Sequence, residues 1–370
     1  MTTAPHCVTD EIFLNMGPQH PSTHGVLRLM LNLDGERVMH VEPDIGFLHS
    51  SMEKVAESLD YRQFLPYADR FDYLNGMGNE LAYVRAVEGL LGIEPTLRCQ
   101  YIRVIMAEMN RIASHLVYYG TIGMDTGATT PFLYCFRERE RVIELLENAC
   151  GQRLLYHYFR IGGLRNDLPR DFCTKLRAFL HDFPPRIKEY EALLTKNVIF
   201  RHRTEGVGYL DPAVARGYGV TGPMLRGSGV DNDLRRADPY YIYPELEFDV
   251  PVLPEGDVMA RHLVRQEEMR QSVRILHQCL DKLPAGEINV KVPRRLKAEP
   301  GESYARVEGP RGEIGCYVIA DGTDHPYRLH WRAPSFYNLQ ALPAMCGNAY
   351  VADLIAILGS VDITLGDVDR

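Results

Sequence analysis

Leucines at 27, 29, 31 and 33 alternate through Gly25-Val-Leu-Arg-Leu-Met-Leu-Asn-Leu33, and Asp34-Gly35 separates this run from Arg37-Val-Met-His-Val41. Period two broken by an Asp-Gly turn predicts a β-hairpin. The period then changes. Ile102, Ile105, Met106, Met109, Ile112, Ala113 and Leu116 recur at steps of three and four, which predicts a long helix from about Cys99 to Tyr119. Val142, Leu145, Leu146, Ala149 and Arg153 to Leu155 predict a second helix. Phe172 to Phe183 predicts a third, stopped by Pro184-Pro185, and Ile187 to Leu194 a fourth. Another is expected from roughly Val258 to Leu283. From Ser303 the period returns to two in Tyr304 to Glu308, Glu313 to Ile319 and Tyr327 to Trp331, a β-meander, and a last helix covers Val351 to Gly359. The expected fold class is therefore α+β, with an N-terminal hairpin region at 1–50, a helical core at 51–300 and a C-terminal β-meander, helix and tail at 301–370.

Composition narrows what such a fold does. Hydrophobic residues make up 45% and charged residues 24%, the balance of a chain that folds throughout, and the net charge of −8 argues against coating nucleic acid. No apolar run approaches the roughly 18 to 20 residues of a membrane span. Met1-Thr-Thr-Ala-Pro-His-Cys7 lacks the basic start and apolar centre of a signal peptide, so a cytosol-facing chain is expected. The eight cysteines lie far apart, with neither a C-x-x-C nor a Cys/His pair at zinc spacing, and read as buried free thiols. Gly206 to Gly229 is rich in glycine but lacks a phosphate-loop pattern. A linker or an irregular packing segment fits it better than a nucleotide site.

The densest local signal is Met16-Gly-Pro-Gln-His-Pro-Ser-Thr-His-Gly25. Prolines fix φ and glycines permit tight turns, so His20 and His24 would be held at defined positions, as a ligand contact requires. The alternative is a proline-rich lead-in to the hairpin. Arg70-Phe-Asp-Tyr-Leu74 adds a cation, a carboxylate and a phenol. A tyrosine hydroxyl can hold a carbonyl oxygen and supply a proton once that oxygen becomes basic. Tyr73 with His24 opposite, and Asp125 holding the second ring nitrogen of His24, would form such a pair. Taken singly, Asp125 reads as a turn or cap residue and Tyr73 as core.

Together these segments resemble the D-type, quinone-site subunit of proton-pumping NADH-quinone oxidoreductase, respiratory complex I, including its photosynthetic relatives. The resemblance rests on Met16 to Leu29, Ile45 to His49 with Met52-Glu-Lys54, Arg70 to Leu74, Arg111-Ile-Ala-Ser-His115, Tyr158 to Gly163, Arg332 to Phe336 and Gly366 to Arg370. It covers nearly the whole chain. It implies a subunit without a bound cofactor that forms a quinone-reduction site with the neighbouring B-type iron–sulfur subunit. Tyr73 and His24 would hold the quinone headgroup, Asp125 would support His24, and Arg70 would lie near the [4Fe-4S] cluster of that partner. It also implies the C-type peripheral subunit and the H-type membrane subunit as partners, and a peripheral location on the cytoplasmic side of the cell membrane. The alternative of another class is a non-catalytic scaffold of a related hydrogenase-like membrane complex.

The wider superfamily includes nickel-iron hydrogenase large subunits, whose R-x-C-G-x-C falls on Arg70 to Asn75 and whose terminal D-P-C-x-x-C-x-x-H/R falls on Asp362 to Arg370. Asp72, Asn75, Thr364 and Asp367 occupy the four thiolate positions, so the soft ligands of a nickel-iron centre are missing. Asp367 and Asp369 are expected to be ion-paired, with Arg370 as the nearest candidate. Two departures from the resembled family stand out. His49-Ser-Ser51 replaces its common His-Arg-Gly, and Leu155 takes the place of a histidine that faces the partner's cluster in many respiratory members. His157 is expected to be a poor substitute, because two residues on a helix rotate a side chain by about 200°.

Overall fold

The computed structural model describes residues 12–17 and 25–370. The hairpin forms as β2 (Arg28–Asp34) and β3 (Arg37–Asp44), and β1 (Ile12–Met16) adds a third antiparallel strand with Met16 opposite Leu29. Leu29, Leu31 and Leu33 point inward with Val38 and Val41, as the alternation requires. Gly17, at φ 101, continues beside β2, where a Cβ would fall 2.2 Å from the Leu27 carbonyl oxygen. The chain therefore departs at Gly17 and is described again from Gly25, close to the same strand end. His20 and His24 lie outside the described residues.

The helical centre is built from α1 (Gly76–Leu91), α2 (Leu97–Asp125), α3 (Thr130–Cys150), α4 (Phe172–Tyr190) and α5 (Val258–Lys282). Helix α2 is 29 residues long, capped by the Thr96 hydroxyl, which accepts from the Cys99 amide, and buried on nearly every side from Cys99 to Gly123. A helix buried all round belongs at the middle of a bundle. It outruns its expected end at Tyr119 because Gly120 and Gly123 allow the α3 lead-in to approach; a Cβ at Gly120 would lie 3.1 Å from the Phe132 ring.

Two helix boundaries differ from expectation. Pro184 and Pro185 do not stop α4, which runs on to Tyr190 and continues as a π-helical turn over Glu191–Thr195. Phe179, Phe183, Ile187 and Tyr190 keep one face buried across the prolines. At about 1.5–3 kcal/mol for each large apolar side chain, that face outweighs the roughly 3 kcal/mol lost per helical proline. Conversely, α3 ends at Cys150, with Gly151 at φ 82, and Leu155 and His157 have φ of 58 and 46. The left-handed glycine terminates the helix. The helical offset expected between Leu155 and His157 therefore does not exist.

The meander forms as β4 (Gly301–Gly309), β5 (Gly312–Ala320) and β6 (Arg328–Arg332), with Gly309 opposite Gly312 across the turn Pro310-Arg311. Gly222, at φ 68, lies against that turn, where a Cβ would meet the Gly312 Cα at 2.5 Å. The glycine-rich stretch is thus a packing segment whose Val220, Met224 and Leu225 join β2 and β3 in one apolar core. Helix α6 (Val351–Val361) completes that core, and α7 (Leu365–Asp369) follows it. A second, larger core surrounds α2. No helix among the described residues is long and apolar enough to cross a membrane.

Ionic side chains run through the larger core. Glu108 accepts from Arg111, Arg235, Ser272 and Tyr243, while Arg226 spans Glu268 and Glu308. His115 lies 2.7 Å from Glu268 and is pushed down to about 4, chiefly by burial, so its imidazole is neutral at neutral pH.

Candidate functional site

Arg311 organises the region around Tyr73. Fully buried in the β4–β5 turn, its guanidinium donates to Asp72 Oδ2 at 2.8 Å, Ser114 Oγ at 3.0 Å, the Asp362 carbonyl at 2.7 Å and Asp362 Oδ1 at 3.2 Å. The Thr364 hydroxyl donates to Asp72 Oδ1 at 3.1 Å. Asp72 and Thr364 are therefore held together through oxygen, and the Asp72 charge acts on Asp367. This is a hard, oxygen-rich environment without the soft donors that nickel and iron select. Among the described residues no group of three or more His, Cys, Asp or Glu side chains is placed to hold a metal ion.

The backbone on either side of Tyr73 is held tightly. Asn110 of α2 donates to the Leu74 carbonyl at 3.0 Å and accepts from the Met77 amide at 3.0 Å, while Asn79 donates to the Asp72 carbonyl at 3.3 Å. A side chain carried on a clamped segment is oriented before any ligand arrives. Tyr73 is half-buried, and burial aided by the Asp72 charge pushes its phenol up to about 12, with Arg311 acting in the opposite direction. At neutral pH it is a hydrogen-bond donor.

The other expected site residues divide. Asp125 is the last residue of α2, eleven residues past Ser114. Eleven residues are three turns and about 20°, so Asp125 stands on the Ser114 face about 16 Å further along the axis. His24 is not described, but Gly25 next to it is: a Cβ there would lie 2.6 Å from Leu365 Cβ and 2.9 Å from Leu48 Cδ1. Leu365 follows Thr364, which binds Asp72, and a Cβ on Gly366 would be 2.8 Å from the Phe71 carbonyl oxygen. The C-terminal helix thereby links the end of the histidine loop to the Arg70–Asn75 segment. Arg70 itself is exposed, its guanidinium on the Pro66 carbonyl and 5.9 Å from the Tyr67 ring centre.

The terminal acids are not paired with Arg370. Asp369 accepts from the amides of Gly46 at 2.8 Å and Leu48 at 2.7 Å, Asp367 accepts from the Ser335 amide at 3.0 Å, and Arg370 donates to the Trp331 carbonyl at 2.9 Å. Backbone amides take both oxygens of Asp369 and one oxygen of Asp367, while the Arg370 side chain points elsewhere. His49 is drawn into the same contact, with Nδ1 2.7 Å from the Asp369 carbonyl. Ser51 has φ 54, a left-handed conformation that suits the glycine of the resembled His-Arg-Gly pattern better than serine. A cavity of about 400 Å³ opens beside this contact, lined by Ile45, His49, Phe336, Val368 and Arg370 among others, and its lining does not include Tyr73 or Asp125.

Sequence reasoning missed Arg311, which reads only as the middle of a turn, and Asp362, which reads only as the start of a motif. It also missed a carboxyl pair beneath the segment after α3. Asp69 accepts from the His157 amide at 2.9 Å, and Glu80 accepts from the amides of Tyr158 at 2.9 Å and Phe159 at 2.6 Å. Burial raises Asp69 to about 6 and, with Asp69 alongside, holds Glu80 well above the carboxylate range. His157 is pushed down to about 4 by burial and by Arg160, Arg165 and Arg70. No spacing in the sequence joins residues 69, 80 and 157–159.

Fold and site together describe an α+β helical subunit whose N-terminal, central and C-terminal segments meet at an arginine–carboxylate cluster. The model of one family, respiratory-chain NADH dehydrogenase, 49 Kd subunit, matches residues 125–299 and 292–370. The chain is 49% identical over 362 residues to the D-type subunit of NADH-quinone oxidoreductase from Clostridium beijerinckii, covering 98% of each chain. It is 52% identical over 379 residues to the second D-type subunit of the same enzyme from Symbiobacterium thermophilum, covering 98% of this chain and 99% of that one. With the D-type subunit from Geobacillus thermodenitrificans it shares 50% identity over 362 residues, 98% and 99% of the two chains. The chain belongs to the 49 kDa subunit family of respiratory-chain NADH dehydrogenase.

Proposed function

We propose that this chain is the peripheral-arm subunit that supplies one wall of the quinone-reduction site in a proton-translocating NADH- or ferredoxin-quinone oxidoreductase. The observation that carries the reading is that Gly25 packs on Leu365, Gly366 on Phe71 and Arg311 on Asp72, so that three remote segments meet beside Tyr73. Residues remote in sequence are brought to one place, and the side chain presented there is a protonated phenol. Such a phenol fits a quinone carbonyl, donating a hydrogen bond to the neutral oxygen and a proton as reduction makes that oxygen basic. Tyr73 holds one carbonyl, His24 the other, and Asp125 supports His24 from the far end of the Ser114 face. Arg70, exposed in this chain, faces the B-type iron–sulfur subunit, whose [4Fe-4S] cluster delivers electrons. The C-type peripheral subunit and the H-type membrane subunit complete the surroundings. The assembly sits on the cytoplasmic side of the cell membrane, with this subunit attached through its partners. The scaffold alternative has less support, because a brace requires neither a clamped phenol nor a buried charged cluster beside it.

A quinone carrying a photoreactive group on its ring tests the reading in the purified complex. Labelling is expected on peptides containing Arg70–Asn75 and Leu365–Arg370, suppressed by excess unlabelled quinone. Specific labelling confined to other subunits would overturn it.

A further inference from the structure

The cluster around Arg311 has more acid than base. Asp72, Asp362 and Asp367 face Arg311 from the hairpin turn and Arg265 from α5, whose Nε is 3.7 Å from Asp362 Oδ2. All five side chains are buried. The neighbouring elements bring the uncharged Tyr73, Tyr118 of α2, Ser114, Ser335 and Thr364, and α5 brings one further buried cation, Arg261, which acts on Tyr118 and donates to Ser360 Oγ and the Gly208 and Gly256 carbonyls. A surplus carboxylate away from water is neutralised by a proton unless other donors satisfy it. For Asp367 the donors come from Ser335 alone: Oδ2 takes its amide and its hydroxyl also acts on the carboxyl, while Oδ1 is buried without a hydrogen-bond partner. Asp72 is the charge that acts on it most strongly, and Asp72 also acts on Tyr73, one residue along the chain.

Resting on the quinone-site reading above, we propose that Asp367 stores an exchangeable proton for Tyr73. When the phenol gives its proton to the quinone oxygen, Asp367 returns one to the phenolate past Asp72, and solvent refills Asp367. Only O–H bonds form and break in this step. The two electrons come from the oxidoreductase reaction, and the second quinone proton comes from the His24 side. Asp367 does not touch the quinone; it acts through Tyr73. The direction of transfer is downhill, since burial and Asp72 place Asp367 at about 6 and the Tyr73 phenol at about 12.

The test uses the intact complex with Asp367→Asn, Asp367→Glu and Tyr73→Phe. In the wild type, infrared difference spectra should contain a protonated-carboxyl stretch that shifts in deuterium oxide and disappears as pH rises. That band should be absent from Asp367→Asn and present, displaced, in Asp367→Glu. Quinone-dependent turnover should fall about tenfold or more in Asp367→Asn, lose its alkaline decline, and recover in Asp367→Glu. An unchanged band and pH profile in Asp367→Asn would overturn the proposal, as would a turnover loss with the wild-type pH profile retained. If Asp367→Asn does not assemble, wild-type spectra that show no pH-dependent carboxyl band missing from Asp367→Glu at its original frequency would overturn it equally. Tyr73→Phe separates the two readings: wild-type turnover there refutes the quinone-site reading, whereas loss of turnover with no Asp367 band refutes the proton store alone.

Discussion

The buried ionic cluster around α2 and α5 and the one around Arg311 are built differently. Around α2 and α5, every carboxylate oxygen of Glu108, Asp233, Glu268 and Glu308 accepts a hydrogen bond from an arginine, histidine, hydroxyl or amide. Around Arg311, Asp362 Oδ2 and Asp367 Oδ1 accept none. A satisfied network rigidifies the structure in one arrangement, whereas an unfilled oxygen in a dry site is a position where a proton can come and go. The first cluster holds helices together. The second lies beside the phenol.

The largest effect is expected in the cluster whose carboxylates are all paired. Glu108→Gln leaves Arg111 and Arg235 buried without their shared anion, and such losses cost about 3–5 kcal/mol. The complex should accumulate poorly or melt at lower temperature, and a normal melting curve would show that water or neighbouring acids compensate. His115 allows a finer reading of the same region. Its folded value near 4 lies below the usual 6.5, so the contribution is complete above 6.5 and is lost as pH falls towards 4. The stability difference between wild type and His115→Asn should therefore shrink by up to about 3 kcal/mol on acidification through that window. A pH-independent difference would mean that Glu268 keeps the imidazole charged.

In the open cluster the expected loss is catalytic. Tyr73→Phe removes one hydroxyl from a ring whose backbone is clamped by Asn110 and Asn79, so assembly should persist while quinone reductase activity falls about a hundredfold. Reduction of the iron–sulfur cluster proposed for the B-type partner should continue. Near-normal turnover with both short-chain and native quinones would remove Tyr73 from the site. The smallest effect is expected at His157. Because its imidazole is neutral above about 4, His157→Leu should leave unchanged the pH dependence of the midpoint potential of the iron–sulfur cluster proposed for the B-type partner. A slope abolished by the substitution, measured by redox titration with electron paramagnetic resonance, would show that the ring titrates with the cluster.

Much of the fold was legible because hydrophobic periodicity reports local structure. The Leu27–Leu33 alternation, the α2 face and the meander all appear where their periods change. The two boundary errors share a cause. At Pro184-Pro185 a local rule was outweighed by a buried face extending past it, and at Gly151 an apolar pattern continued past a glycine that turned the backbone left-handed. The candidate site was legible in part. The Arg70–Tyr73 and Asp362–Arg370 motifs announce themselves, and the structure brings Asp72 against Thr364.

Residue chemistry and order along the chain determined the α+β class, oxygen-bearing side chains in place of cysteines at Asp72, Asn75, Thr364 and Asp367, and the placement of a phenol within a motif, since each follows from identities and short spacings. Only the tertiary structure decided that Arg311 from a hairpin turn would neutralise Asp72 and Asp362, that Asp367 would keep an unfilled oxygen, and that Asp69 and Glu80 would hold the segment after α3. The physical reason is that charge and desolvation act through space. Arg311 and Asp72 are 239 residues apart in the chain and 2.8 Å apart in the fold, and no pattern of neighbours along a sequence encodes which distant groups will share the same dry volume.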